Sequence, residues 1–98
     1  MNRIDTETRS DKGFYNRSLE RALQIMCAFT SERNAYTLTQ LTEAVRLPKA
    51  TTIRLCSTLI KYGFMKFDHA SMQYSLGIKL FELGSIVYSS LSLRKTAS

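Results

Sequence analysis

The chain has 98 residues, a formal net charge of +6 and a pI near 9.6. Ninety-eight residues are enough for one small domain with flanking segments. Its basic charge points to an anionic partner, either nucleic acid or a membrane surface, and composition alone does not choose between them.

The cysteines and the apolar runs narrow the possible classes of protein. Cys27 and Cys56 lie far apart in the sequence, each among apolar neighbours at helical spacing, without a CxxC or Cys/His cluster. This pattern favours two buried, reduced thiols over a zinc site or a redox centre. The apolar runs are too short to span a membrane, and the polar N-terminus lacks a signal-peptide core. We therefore expect a cytoplasmic protein with no metal, no cofactor and no membrane partner.

The chain begins with a polar segment and a first helix. Residues 1–17 are mixed in charge and lack periodicity, which is typical of a flexible tail. Residues 18–30 predict a helix, because Ser18 suits the N-cap and Glu20 suits the first turn. The polar residues 31–35 then predict a loop. The expected apolar face of this helix consists of Leu19, Ala22, Leu23, Met26 and Phe29.

Two helices joined by a tight turn come next. Thr37 and Gln40 match a capping box that opens a short helix, which we expect to end near residue 45. Pro48 cannot continue that helix but fits the first turn of another, which runs to about Tyr62. This spacing predicts a helix-turn-helix.

Residues 64–76 have the partial alternation and aromatic content of a short β-hairpin around the polar turn 68–71. After Gly77 a last helix is predicted to residue 93. The expected fold is mainly α with a small β-hairpin, namely a winged helix-turn-helix followed by a C-terminal linker or dimerisation helix. The predicted division is 1–17 tail, 18–76 winged helix-turn-helix, 77–93 linker or dimerisation helix, and 94–98 tail.

Helix 48–62 has the composition of a helix that reads the DNA major groove. At about 100° per residue, one side is apolar and the other is basic, small or hydroxyl-bearing. Arg54 suits a bidentate bond to guanine, and Lys49 suits a phosphate. The candidate DNA contacts on this outer side are Lys49, Ala50, Thr51, Arg54, Ser57, Thr58 and Lys61. The expected core-facing residues are Ile53, Leu55, Cys56, Leu59 and Ile60.

A polar and somewhat basic outer face is also found on ordinary surface helices. The absence of any acidic residue between Lys49 and Phe67 favours DNA, because a solvated helix usually mixes charges of both signs. In the hairpin, which would form the wing, Lys66 and His69 could reach a phosphate or the minor groove, and Tyr74 could hydrogen-bond to the DNA backbone. The single histidine has no nucleophile or carboxylate pair beside it, so we predict no catalytic residue and no enzyme.

The last helix carries more apolar side chains than one packing surface needs. Leu76, Leu80, Leu83, Val87 and Leu91 follow a 4-3-4-4 spacing that resembles a coiled-coil seam. Further apolar residues lie elsewhere on the circumference. A homodimer is the simplest source of a second buried contact, and a central core helix of a larger fold is the alternative.

Four segments together resemble the N-terminal domain of isocitrate-lyase-regulator (IclR) type transcription factors. These segments are SLERALQIM (18–26), LPKATTIRL (47–55), STLIKYGF (57–64) and YSLGIKLFELG (74–84). The resemblance implies a dimeric regulator that binds a palindromic operator, and a separate effector-binding domain, expected beyond residue 98, that binds a small molecule. By motif position, Lys49, Thr51, Thr52 and Arg54 would read the operator. Where the family usually has a glycine in the turn, this chain has Arg46.

The leading prediction is sequence-specific binding of double-stranded DNA by a dimeric transcriptional regulator, with helix 48–62 in the major groove. Repression is favoured over activation, because occluding a promoter requires only tight binding. The alternative is a winged helix used for protein–protein contact or dimerisation, with little DNA affinity. The basic helix face argues against it, because protein interfaces are depleted in lysine.

Overall fold

A computed structural model describes the backbone of residues 12–97 and the side chains of residues 13–91. Most of the predicted N-terminal tail, residues 1–11, lies outside the described residues. The elements, in chain order, are a short 3-10 helix Lys12–Phe14, α1 Arg17–Cys27, β1 Tyr36–Thr37, α2 Leu38–Val45, α3 Lys49–Lys61, β2 Met65–Asp68, β3 Gln73–Leu76 and α4 Ile78–Ala97. This order confirms the predicted mainly α winged helix-turn-helix.

Helix α1 begins earlier and ends earlier than predicted. Its N-cap is Asn16 rather than Ser18, and the Asn16 side-chain oxygen accepts a hydrogen bond from the Leu19 amide at 2.9 Å. Asparagine and serine supply the same capping chemistry, so the local sequence did not separate them. On the inner face Ile25 is fully buried, whereas Leu19 and Leu23, which we expected to pack inward, are exposed.

The capping box at the start of α2 is confirmed. The Thr37 hydroxyl oxygen accepts from the Gln40 amide at 3.2 Å, and the Gln40 side chain accepts from the Thr37 amide at 2.9 Å. The Thr42 hydroxyl donates to the Thr39 carbonyl at 2.8 Å, so it is satisfied inside the helix. The helix ends at Arg46, which has left-handed backbone angles (φ 56°, ψ 45°).

The strands form a three-stranded antiparallel sheet in the order β1-β3-β2. The hairpin β2–β3 was predicted and its register pairs Phe67 with Tyr74. Strand β1 was not predicted, because two residues show no periodicity. It pairs Tyr36 with Tyr74 and thereby joins the start of α2 to the wing.

The core holds the three helices of the domain against this sheet. Its buried apolar residues are Ile25, Phe29, Tyr36, Leu41, Cys56 and Met65. The Tyr36 ring meets Phe29 edge to face at 4.9 Å, and its hydroxyl donates to the Ala28 carbonyl at 2.7 Å. Burial of Cys56 is confirmed, whereas the same expectation for Cys27 is wrong, since that thiol lies exposed at the end of α1.

Helix α4 leaves the wing through a close backbone contact at Gly77. The Gly77 amide donates to the Phe64 carbonyl at 2.8 Å, and the Lys79 amide donates to the Gly63 carbonyl at 3.1 Å. The helix continues to Ala97 instead of ending near residue 93, so the expected C-terminal tail from residue 94 is helical up to that point. Among the described helices, none is long and apolar enough to cross a membrane.

Candidate nucleic-acid interface

The outer side of α3 forms the candidate interface. Lys49, Ala50, Arg54, Ser57, Thr58 and Lys61 are all exposed there, and Thr51 is half-buried. On the opposite side, Thr52 and Cys56 are fully buried, and Leu59 is half-buried against the core. Because the inner face is held in the core, the helix presents its outer side chains from a rigid support.

Two expectations about α3 need correction. Thr52 was expected to read DNA, but it is fully buried, and its hydroxyl donates to the Pro48 carbonyl at 3.0 Å. The same carbonyl accepts the Thr52 amide at 2.9 Å, so the residue fastens the first turn of the helix instead of facing outward. Ile53 was expected in the core and is 40% exposed, because it lies at the edge of the inner face.

The exposed side chains of α3 are not equally free to act. The Thr58 hydroxyl donates to the Arg54 carbonyl at 3.1 Å, which leaves it only an acceptor role toward a ligand. The Lys61 ammonium lies 5.5 Å from the centre of the Tyr62 ring, at the C-terminal end of the helix. Phosphate oxygens accept hydrogen bonds and do not donate them. The charged donors of the helix are therefore Lys49, Arg54 and Lys61.

The segment from Lys49 to Phe67 carries charges of one sign only. Between Lys49 and Phe67 there are four basic side chains and no acidic one. The single ion pair in the described part of the chain joins Lys79 to Glu82 at 3.2 Å, outside this segment. These basic groups are thus available for an anionic partner. They are Lys49, Arg54, Lys61 and Lys66.

The wing carries Lys66 and His69, and both are exposed. Its turn is fastened by Asp68, whose carboxylate accepts from the Ser71 hydroxyl at 2.8 Å and from the Ala70 amide at 3.2 Å. The bond from Ser71, followed by that from Ala70, lowers the pKa of Asp68. The only acidic group of the wing is therefore engaged in shaping its turn.

Tyr74 does not share the face of Lys66. Its register partner is Phe67, whose ring centre lies 4.7 Å away, and its ring packs against the core. Lys66 pairs instead with Ser75 and lies on the opposite face of the sheet, because side chains alternate along a strand. Burial, followed by the nearby Cys56 thiol, raises the pKa of Tyr74. Tyr74 was expected to contact DNA, but its side chain lies on the core side of the sheet and not on the exposed basic surface.

The outer face of the sheet also borders an open groove of about 970 Å³. Its lining includes Ser31 and Asn34 of the loop before β1, and Lys66 and Ser75 of the sheet. Its lining also includes apolar side chains, among them Phe29, Phe67 and Leu76.

Two exposed residues beside this surface were absent from the predicted contacts. Arg46 lies in the turn directly before α3, and Met72 lies in the turn of the wing. The basic side chain of Arg46 was visible in the sequence. An apolar residue in a turn gives no comparable signal, so Met72 could be found only from the fold.

The predicted dimerisation residues lie along a helix whose apolar side chains remain largely uncovered. Leu76, Leu83, Val87 and Leu91 are exposed, and Leu80 is half-buried. Other sides of the same helix also expose large apolar groups, which are Ile78, Phe81, Ile86 and Tyr88. The helix therefore has apolar surface on more than one side.

The sequence comparisons all match this chain to transcriptional regulators. The model of the IclR helix-turn-helix domain matches residues 18–69, more than half of the chain. The regulator TsaQ1/TsaQ2 of Comamonas testosteroni is 39% identical over 80 residues, covering 82% of this chain and 28% of its own length. The regulator XynR of Escherichia coli is 34% identical over 80 residues, with 82% and 32% covered.

Solved structures agree with this result. The crystal structure of an IclR family transcriptional regulator from Brucella abortus has a TM-score of 0.78 and 31% identity, covering 90% of this chain and 34% of that one. Pseudomonas aeruginosa HmgR has a TM-score of 0.71 and 30% identity, with 84% and 35% covered. The chain thus spans about a third of the length of the proteins it matches.

Proposed function

This chain belongs to the IclR family of transcriptional regulators, and on that premise we propose that it binds double-stranded DNA sequence-specifically as a dimer, with α3 in the major groove. The observation that carries the proposal is the construction of α3. Its inner face is locked by buried Thr52 and Cys56, and its outer face offers Lys49 and Arg54 in a segment without acidic residues. Binding to the genome would take place in the cytoplasm.

Each exposed group has a role that suits its chemistry. The planar guanidinium of Arg54 matches the two acceptors of guanine, whereas Lys49 at the start of α3 meets a phosphate beside the unpaired amides of the first turn. The methyl groups of Ala50 and Thr51 suit the methyl group of thymine. Ser57, Thr58 and Lys61 lie further along the same outer side and would complete the contact.

The wing would bind next to this groove. Lys66 and His69 are exposed and would contact a flanking phosphate or the edge of the minor groove. The engaged carboxylate of Asp68 shapes the turn that places them.

The uncovered apolar helix α4 supports the proposed dimer. A pair of α4 helices joined along Leu76, Leu80, Leu83, Val87 and Leu91 would bury a seam that is exposed in the single chain. Two α3 helices would then enter successive major grooves, about 34 Å apart, on a palindromic operator. Repression would follow when the bound dimer occludes a promoter.

The proposed domain division follows from the same features. Residues 18–76 would bind DNA and residues from 77 onward would link and dimerise. Because the matched relatives are about three times as long, we place control by a small-molecule effector in a C-terminal domain of a longer regulator.

Selection of duplexes from a random DNA pool by the purified protein tests this function. The expected result is an enriched inverted repeat, whose binding weakens with a log–log salt slope of about −0.9 per phosphate neutralised. A folded protein that enriches no duplex would contradict the proposal. It would favour the alternative, a winged helix that contacts another protein.

Arg54→Ala tests the assignment of the recognition helix. It should lower affinity for the enriched duplex by about 1–3 kcal/mol and relax the preference at one base pair. Arg17→Gln removes the same charge from the start of α1 and serves as the control. Equal affinity of Arg54→Ala and the unaltered protein would remove Arg54 from the interface.

Leu83→Glu tests the dimer. A carboxylate on the seam should shift the protein to monomer in sedimentation equilibrium, because burying an unpaired charge is unfavourable. Ser85→Glu adds the same charge to α4 away from the seam and should leave the mass unchanged. Equal masses for both variants would contradict a dimer built on this seam.

A further inference from the structure

Three described residues have a positive φ, and only one of them is glycine. Arg46 has φ 56°, Met72 has φ 58° and Gly63 has φ 84°. Glycine adopts this conformation freely, whereas a side chain in it disfavours folding on the order of tenfold in the folding equilibrium. A strained residue that persists at an exposed position is a reason to look for a function of its side chain.

Arg46 is held in this conformation by the end of α2. Its amide donates to the Thr42 carbonyl at 2.8 Å, so the backbone conformation follows from the helix end and glycine would suit it better. The side chain is exposed, and it forms no ion pair in the part of the chain that the structure describes. Its guanidinium lies in the turn from which α3 starts. Among the described residues, no hydrogen bond or ion pair of the side chain explains its presence.

Met72 is held in the same way by the turn of the wing. Its amide donates to the Asp68 carbonyl at 2.7 Å, which closes the turn. The side chain is 59% exposed, although methionine is a large apolar residue. Burial in the domain therefore does not explain this side chain either.

Gly63 provides the contrast within the same molecule. It follows the C-terminal end of α3, opposite the end where Arg46 lies, and its hypothetical side chain would meet the Lys79 Cβ at 3.4 Å. At this half-buried position the chain has glycine. The two positive-φ residues that keep side chains are the two that flank the candidate interface.

From this contrast we infer that Arg46 and Met72 are two further DNA-contacting residues, an inference that rests on the proposed function. The guanidinium of Arg46 binds a backbone phosphate at the edge of the major groove where α3 enters. The Met72 side chain lies against the adjacent minor groove, where apolar side chains of other proteins pack on sugars and base edges. The left-handed conformation of the two residues disfavours the folded state slightly, and their contacts favour the complex.

Glycine substitution separates folding from binding at Arg46. Arg46→Gly should leave the thermal midpoint unchanged or raise it, weaken binding to specific and random duplexes alike, and reduce the salt slope by about 0.9. Arg46→Lys should keep the salt slope of the unaltered protein. Arg46→Asn, whose side chain tolerates the left-handed region, should reduce the slope as Arg46→Gly does. The measurement is fluorescence anisotropy of a labelled duplex at several salt concentrations. An unchanged slope in Arg46→Gly overturns the phosphate contact.

The corresponding variants at the wing distinguish an apolar contact from a change in flexibility. Met72→Gly should weaken binding by about fourfold or more without changing the salt slope, since about one methylene group or more returns to water. Met72→Leu should keep most of the affinity. Ala70→Gly loosens the same turn at a position without positive φ and is the control. Equal losses in Ala70→Gly and Met72→Gly, or no loss in Met72→Gly, overturn the contact.

The unaltered protein separates this inference from the proposed function. If it shows no salt-dependent binding to any duplex, the proposed function fails and this inference fails with it. If it binds and Arg54→Ala weakens binding while both glycine variants bind normally, only the assignment of Arg46 and Met72 is overturned.

Discussion

Gly77→Ala should destabilise the domain by about 2–4 kcal/mol, because a methyl group has no room at the junction between the wing and α4. A Cβ built on Gly77 would lie closest to the Gly63 carbonyl oxygen, and 2.9 Å from both the Gly63 carbonyl carbon and the Met65 amide nitrogen. Ordinary van der Waals contact begins at 3.4 Å, so the overlap with the carbon and with the nitrogen is 0.5 Å (3.4 − 2.9), and the overlap with the oxygen is larger. All three atoms belong to the backbone and have no rotamer with which to move away.

The magnitude follows from two contributions. Overpacking against a well-packed region opposes folding by about 1–3 kcal/mol. The separation needed to relieve the overlap also weakens the bonds from the Gly77 amide to Phe64 and from the Lys79 amide to Gly63, about 0.5–1.5 kcal/mol each when broken. Partial loss of both bonds brings the sum to about 2–4 kcal/mol.

Gly84→Ala is the matched control on the same helix. Nothing lies within 4 Å of a Cβ built on Gly84. Alanine should therefore stabilise α4 by about 0.5–1 kcal/mol through its better helix propensity. The assay is urea unfolding followed by circular dichroism, in which the two variants should shift the midpoint in opposite directions. If Gly77→Ala were as stable as the unaltered protein, the close contact at this junction would be refuted.

Three further predictions concern the core, the thiols and the wing. Leu41→Ala should lower the unfolding free energy by about 2–5 kcal/mol in urea, because Leu41 is fully buried; a loss below about 1 kcal/mol would contradict its core role. Burial raises the pKa of Cys56 to about 11. An alkylating reagent at pH 8 should therefore modify only the exposed Cys27 in the folded protein, and equal alkylation rates of the two thiols would contradict this. Since the thiol ionises first in the unfolded chain, stability should fall as the pH rises above the ordinary thiol pKa toward 11. The hydrogen bonds that lower the pKa of Asp68 stabilise the wing turn at any pH above the ordinary carboxyl pKa. This stabilisation should be lost as the pH falls through the pKa of Asp68 in the folded protein. In an NMR titration Ser71→Ala should raise the Asp68 pKa, and an unchanged value would refute the proposed cause.

The parts of the candidate site that follow from the residue types along one helix could be predicted from the sequence. The parts that depend on contacts with other elements could not. The outer face of α3 could be identified because helical periodicity separates Arg54 and Lys49 from the apolar side of the helix. The same periodicity leaves a residue at the boundary undecided, and Ile53 lies there, whereas Thr52 was assigned to DNA by motif position and lies on the inner face. Neighbouring elements decided the outcome, which was burial for Thr52 and 40% exposure for Ile53.

The sequence by itself determined the elements whose causes are local. Three of these causes act within a few residues and can therefore be read from the sequence. They are the capping box of Thr37 and Gln40, the end of a helix before Pro48, and the change of period after residue 63. These signals were sufficient for the order of helices and hairpin, and the resemblance of four segments indicated the family.

Only the tertiary structure decided which residues meet across the chain. Strand β1 exists because Tyr36 pairs with Tyr74, and Cys56 is buried while Cys27 is exposed because one helix lies in the core and the other ends at the surface. The left-handed conformations of Arg46 and Met72 depend on how a helix end and a turn close. Strand β1 and the burial of Cys56 arise from contacts between residues distant in sequence, which no local pattern encodes. Arg46 and Met72 adopt a conformation that their own residue types disfavour, so residue type does not predict it.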